Sequence, residues 1–321
     1  MEFNFNKFSG PVNFLVTTLL GVALVYTQLN VLPFVSLFSL FAYTVLWVNQ
    51  GWRWTSLSYI ATSVIVYFMY GLEITLAIMP TIIILSAMIA IFIERKFDQF
   101  RTIFLAAIAF MVVTFTMLYI SELQTGVSLH SAVTVIVEEQ LEGFIEQLDN
   151  LPDINRDLFS TQLAMSTAMV TNTIVQNLPG VFFAAGLFMV ALNYFISTSI
   201  LFHGNVLKKK VLLSKLQMPK VLAIVIVAAV VITVLLEGVH PAMAIVGSNL
   251  MLIGGSLFAL NGMATLGMML KLRLVSYFLV MIFVLFFINI MIYALIFLGI
   301  VDTLVDIRSR IHFTGGPNGR Q

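Results

Sequence analysis

From Ile74 to Ile93 the chain carries no charged side chain. About 20 such residues in a helix cross roughly 30 Å of hydrocarbon. Runs of the same kind recur along most of the 321 residues. No water-soluble core hides that much apolar surface, so lipid is the main solvent of this chain. Composition agrees: 60% of residues are hydrophobic and 10% charged, against about 45–50% and 25% in a soluble domain. A soluble enzyme, a nucleic-acid-binding domain and a disordered chain are excluded. The expected fold class is all-α, a polytopic transmembrane helical bundle of eight or nine spans, and its first partner is the lipid bilayer.

The apolar runs fall at about 12–28, 33–48, 57–70, 74–93 and 102–120, then at 180–202, 221–236, 243–270 and 275–300. Short polar breaks separate them. Asn30-Val31-Leu32-Pro33 is a turn, and Gly71-Leu72-Glu73 is another. Trp47, Trp52 and Trp54 gather at one break, as an interfacial aromatic belt does. The first ten residues lack the basic region of a signal peptide, so 12–28 reads as a retained span. Four units result: an N-terminal membrane domain 1–120, a segment 121–177, a C-terminal membrane domain 178–300 and a polar tail 301–321.

Segment 121–177 holds more than half of the chain's 15 acids and one base, Arg156. Val133, Val137, Leu141, Phe144, Ile145 and Leu148 recur at helical spacing, which predicts an amphipathic helix. Leu151-Pro152-Asp153 should break it. A weaker stripe through Phe159, Leu163, Met169 and Ile174 predicts a second helix before Pro179.

Charge placement gives an orientation. The loop 94–101 carries Arg95, Lys96 and Arg101, and the loop 203–220 carries Lys208, Lys209, Lys210, Lys215 and Lys220. One span separates each from the acidic segment. The positive-inside rule puts both basic loops and the N-terminus in the cytoplasm, and segment 121–177 outside. Nine spans then leave the tail outside with Arg308, Arg310 and Arg320. A half-spanning stretch near Gly238-Pro241 would restore an even count and an inside tail.

The chain has no cysteine. There is no Gly-x-x-x-x-Gly-Lys-Ser/Thr loop, so no intrinsic ATPase is expected. No His-Glu-x-x-His pattern or nucleophile elbow is present, and no catalytic residue, cofactor or metal site is assigned. Glu138, Glu139, Glu142 and Glu146 read as a solvated helix face. Glu73, Glu237 and His240 sit at outer span ends, either as interfacial anchors or as part of an outward-facing polar site. Asn193, Asn249, Asn261 and Asn289 lie inside spans, where amides either join helices or line a cavity. Gly247, Gly254, Gly255 and Gly262 allow close helix packing. Lys208-Lys209-Lys210 reads as an orientation signal that meets anionic headgroups, or as a docking site. Asp302, Asp306 and Arg310 have helical spacing, so Asp306 and Arg310 should pair.

Several of these stretches carry a resemblance. The early pattern is Leu32-Pro33-Phe34, then Gly51 among aromatics, then Gly71 before the fourth span. The late pattern is Leu257-Phe258-Ala259-Leu260-Asn261-Gly262-Met263-Ala264, then a terminal Gly-x-x-Asp-x-x-x-Asp-x-Arg formed by Gly299, Asp302, Asp306 and Arg308. Together they resemble the YybS-like bacterial membrane proteins over most of the chain. The acidic segment carries none of the likeness. The first spans are similar in turn to the substrate-binding S components of energy-coupling-factor vitamin transporters. That resemblance implies residence in the bacterial inner membrane and a small polar solute. It also implies a separate ATPase or transmembrane coupling module as partner. Two features depart from it: span one lacks a small-x-x-x-small Ala pair, and further spans follow the sixth.

A solute binder of this kind would have a cavity in its outer half, lined by Gln28, Asn30, Glu73 or Glu122, with Glu237 and His240 nearby. The alternative is a non-transporting scaffold that assembles with another membrane protein. It would be packed in that region and expose the stripe Val133, Val137, Leu141 and Ile145.

Overall fold

The computed structural model describes residues 10–30, 39–148, 156–236, 240–269 and 288–308. Its elements, in chain order, are α1 (Gly10–Asn30), α2 (Ser39–Gln50), α3 (Trp52–Glu94), α4 (Gln99–Thr125) and α5 (Leu129–Leu148). Then come α6 (Arg156–His203), a short 3-10 turn (Leu213–Lys215), α7 (Lys220–Leu236), α8 (Pro241–Met269) and α9 (Ile288–Val305). No strand occurs among the described residues.

α3 is two helices in one. Gly71 sits inside it at φ 85, ψ 177, outside the helical region. Tyr59 and Ser86, 27 residues apart, are hydrogen-bonded at 2.6 Å. A straight helix would separate them by ~40 Å. The chain therefore reverses at Gly71, and its two arms lie antiparallel, as the sequence break at 71–73 predicts. Glycine is needed there because that φ/ψ combination is closed to residues with a Cβ.

α1 runs beside the first arm of α3 in the same direction. Thr18 meets Ser58 at 2.9 Å and Asn30 meets Tyr70 at 2.7 Å, each pair 40 residues apart. α2 returns between them. The Tyr43 hydroxyl of α2 donates to Thr62 at 2.7 Å, and Thr44 donates to the Ser86 carbonyl. These hydroxyls sit among Val25, Leu40, Val66, Met79 and Leu85, all buried. Inside lipid such groups must find partners within the bundle.

α6 carries the main departure from the sequence reading. It was expected to stop before Pro179, with a new span beginning at Gly180. Instead one helix runs from Arg156 through Pro179 to His203. Proline lacks an N–H and crowds the carbonyl four residues back, so the ladder should open there. The Asn249 side chain of α8 enters at that place. Its Oδ1 accepts from the Gly180 N–H at 2.7 Å, and its Nδ2 donates to the Gln176 carbonyl at 2.8 Å. Those two backbone groups are the ones an unbroken helix would pair with each other. Ser248 adds a bond of 2.6 Å to Asn177. An inserted side chain is a recognised way to bridge such an opening in the ladder.

α7 and α8 form an antiparallel hairpin, with Gly247 against Thr233 and Gly254 against Ile226. α5 matches the expected amphipathic helix and lies against α6. The expected break at Leu151-Pro152-Asp153 lies outside the described residues.

Five helices among the described residues are long and apolar enough to cross a membrane: α1, α3, α4, most of α6, and α8. α7 and the end of α9 are apolar but shorter. Length alone therefore selects fewer spans than the eight or nine expected, partly because the folded-back α3 counts once. Phe68, Val221, Leu235 and Phe297 are exposed on the outer surface, where lipid rather than water suits them.

Candidate polar site between two basic loops

α8 and α9 run side by side in the same direction. Gly255 faces Ile296, Gly262 faces Gly299, and Asn261 reaches Asp302. The crossing is close enough that a Cβ on Gly262 would collide with the Leu295 carbonyl, and one on Gly299 with the Phe258 carbonyl. Small residues at a helix crossing let backbones touch in this way.

That contact brings a set of polar groups together. α9 ends at Val305, and Asp306 follows at φ 53, in the left-handed region that closes a helix. Its N–H donates to the Asp302 carbonyl at 2.8 Å. The turn folds Arg308 back onto the helix end. Arg308 Nε and Nη2 both donate to Asp302 Oδ2, at 2.8 and 2.6 Å. Nη2 also donates to Asn261 Oδ1 at 2.5 Å, and Nη1 donates to the carbonyls of Ser214 and Leu216. Every N–H of the guanidinium has an acceptor. Asn261 Nδ2 completes the set with Thr303 Oγ1 at 2.9 Å and the Gly299 carbonyl at 3.2 Å. Arg308 is 3%, Asp302 4% and Asn261 2% exposed. A buried charge pair holds only when fully hydrogen-bonded, and this one is.

Asp302 was expected to belong to a helical Asp302, Asp306, Arg310 row. Its partner is Arg308, six residues on. The Asp306–Arg310 pairing lies outside the described residues. Beside the Arg308 cluster is a cavity of about 120 Å³, walled by Lys220, Asn261, Asp302, Thr303, Asp306 and Arg308 with Gln217 and Met218.

A larger recess adjoins it and shares Gln217 and Met218. It measures about 1080 Å³. Its walls come from the loop after α3, the start of α4, the C-terminal end of α6 and the loop before α7. Lys96, Arg101, Lys208, Lys209 and Lys215 line it, with one acid, Asp98. Asp98 is already engaged: it caps α4 through the Arg101 N–H and pairs with the Arg101 side chain at 2.9 Å. The floor is different in character, with Ile93, Phe100, Tyr194 and Met218. The two basic loops therefore share one end of the molecule, and the close of α9 lies at that end too.

The candidate ligand residues sit elsewhere. Asn30 is exposed and bonded to Tyr70 and the Tyr26 carbonyl. Glu73 and His240 are exposed, and Glu122 is half-buried. None of them lines either cavity. The Gln28 side chain and all of Glu237 lie outside the described residues. Of the in-span amides, Asn193 is buried and accepts from the Phe41 N–H in the first turn of α2 at 3.1 Å. Asn249 bridges α6. Both join helices. The Asn289 side chain lies outside the described residues. Of the resemblance motif, Gly299, Asp302 and Arg308 meet at one place, and Asn261 from the other quoted stretch joins them. Among the described residues no group of three or more His, Asp or Glu is placed to hold a metal.

The fold and this site describe an all-helical, multi-pass membrane protein with a polar end built around two basic loops. The chain matches the family model described as predicted membrane protein (DUF2232) over residues 15–303, and it belongs to that family. The match takes in Asn261, Gly262, Gly299 and Asp302 and stops before Asp306 and Arg308. No curated protein and no solved structure matches the chain.

Proposed function

We propose that the protein is a non-enzymatic binding subunit for a small, negatively charged polar solute, embedded in the bacterial inner membrane. One observation carries the reading: a recess of about 1080 Å³ opens between the two basic loops. Sites for small organic molecules are about 300–1,000 Å³ and combine apolar walls with a few convergent polar groups. The positive-inside rule makes that end cytoplasmic. With no phosphate-binding loop of its own, the subunit takes energy from a separate ATPase or coupling module. The likeness to YybS-like proteins and to S components supports a binding role by analogy of fold. The ligand residues then differ from Asn30, Glu73 and Glu122, because the recess opens at the opposite end.

The same geometry supports a cytoplasmic side for both Gly10 and Arg308. α1 and α9 start and finish so that Gly10 and Arg308 lie at the end bearing the basic loops.

A scaffold role is the second reading. It is favoured by the interior of the α1–α3 bundle, where Val25, Tyr43, Val66 and Leu85 are fully buried and packed together. Thermal unfolding of the purified protein with a panel of anionic metabolites separates the two, alongside a pull-down for an ATPase. A rise in midpoint supports the binder. No shift with any metabolite and no ATPase overturns it.

A further inference from the structure

We infer that the recess between the basic loops holds the phosphate group of an organic phosphate ester. This deepens the solute-binding reading and rests on it. Lys96, Lys208, Lys209 and Lys215 make no ion pair among the described residues, and the one acid in the wall is neutralised by Arg101. Several unpaired ammonium groups converging on one concave surface repel each other unless an anion sits between them. A compact multivalent oxyanion answers that field better than a single carboxylate.

The depth of the recess separates an ester from a bare inorganic ion. Thr198 and Tyr194 lie five and nine residues before the end of α6 at His203. At 1.5 Å per residue they lie roughly 8–13 Å along the helix from its end. Phe100, Ile93 and Met218 line the recess with them. A charged mouth above an aromatic and aliphatic floor suits a phosphate carrying an organic body. Two sources have that chemistry: a soluble phosphomonoester, and the headgroup of an anionic phospholipid entering from the inner leaflet.

The test uses the full-length protein. Its unfolding midpoint is measured in detergent with glycerol phosphate, with inorganic phosphate, and with succinate at equal ionic strength. It is measured again in phosphatidylcholine nanodiscs with and without phosphatidylglycerol. Each series is repeated on Lys208→Gln/Lys209→Gln and on Lys96→Gln. These side chains are exposed, so the variants keep the fold. Stabilisation by glycerol phosphate assigns a soluble ester, and stabilisation by phosphatidylglycerol alone assigns a headgroup. Either result supports the inference if apparent affinity falls about fivefold per lysine removed. Stabilisation that survives the lysine substitutions overturns it, as does an equal effect from succinate. Succinate binding that is lysine-dependent, with no response to phosphates, overturns the phosphate assignment but leaves the solute-binding reading. No response to any anion removes both.

Discussion

Arg308 and Asp302 form a buried ion pair across the end of α9, with both Nε and Nη2 of the arginine on the same carboxylate oxygen. The pair closes only because Asp306 turns the chain through a left-handed conformation between them. It holds three parts of the molecule at once, since Asn261 comes from α8 and the Ser214 and Leu216 carbonyls come from the loop before α7.

Removing one partner leaves a buried charge without compensation. Arg308→Met or Asp302→Leu should each cost about 3–5 kcal/mol. The double replacement should cost clearly less than the sum, because no orphan charge remains. Arg308→Lys should not rescue, since an ammonium cannot reach acceptors on opposite sides as the planar guanidinium does. Thermal unfolding in detergent measures all four. Additive single effects would contradict the pairing.

The α8–α9 crossing depends on Gly262 and Gly299. Gly299→Leu should force the helices apart and raise protease sensitivity at the α9 end, costing about 1–3 kcal/mol or more. Gly247→Ala, where the nearest atoms belong to the Thr233 side chain at 3.0 Å, should be much milder. Equal effects at the two positions would mean that backbone contact does not define the crossing.

Asn249 and Pro179 form a testable couple. Asn249→Ala strips both bridging bonds from the helix beside Pro179 and should cost about 1–3 kcal/mol. Pro179→Ala lets the helix close its own ladder. In that background Asn249→Ala should cost about 1 kcal/mol less. A double-mutant cycle on unfolding midpoints reads the difference, and strict additivity would refute the bridge.

Sidedness follows from the position of Arg308. Single cysteines at Lys209 and Gly319 should react with a membrane-impermeant maleimide only after the membrane is opened. One at Gln124 should react from outside in intact cells. The background is zero because the chain has no cysteine. Labelling of Gly319→Cys in intact cells would place the tail opposite the basic loops and exclude an even count.

Much of the helix order could be read from local pattern. The reversal at Gly71 and the amphipathic α5 are both written in adjacent residues. What stayed hidden depends on groups far apart in sequence. Nothing near Pro179 says that the helix continues, because the bridging amide is 69 residues away from Gly180. The Asp302–Arg308 spacing does not follow a helix face, so periodicity pointed to Arg310 instead. A left-handed Asp after an apolar helix was the available signal, since Asp and Asn tolerate that conformation better than most residues. Asn261 was legible as an amide in a span but not as the member that completes the arginine's coordination. The lysine loops were read for orientation. Their shared recess emerges only when 94–101 and 203–220 are brought together by the packing of α4 on α6.

Arg308 also sets an order of assembly. The Ser214 and Leu216 carbonyls are synthesised more than 90 residues before their partner, as the separations of 94 and 92 attest. At about 5–20 residues per second, that loop waits several seconds on the ribosome without its arginine. Among the described residues the α1–α4 bundle takes none of its hydrogen bonds from α9, and it can close during that interval. The α7–α9 half cannot reach its final form until the last helix has been released. A chain truncated before Arg308 should therefore insert its spans normally, yet leave the basic end unfastened and open to quality-control proteases.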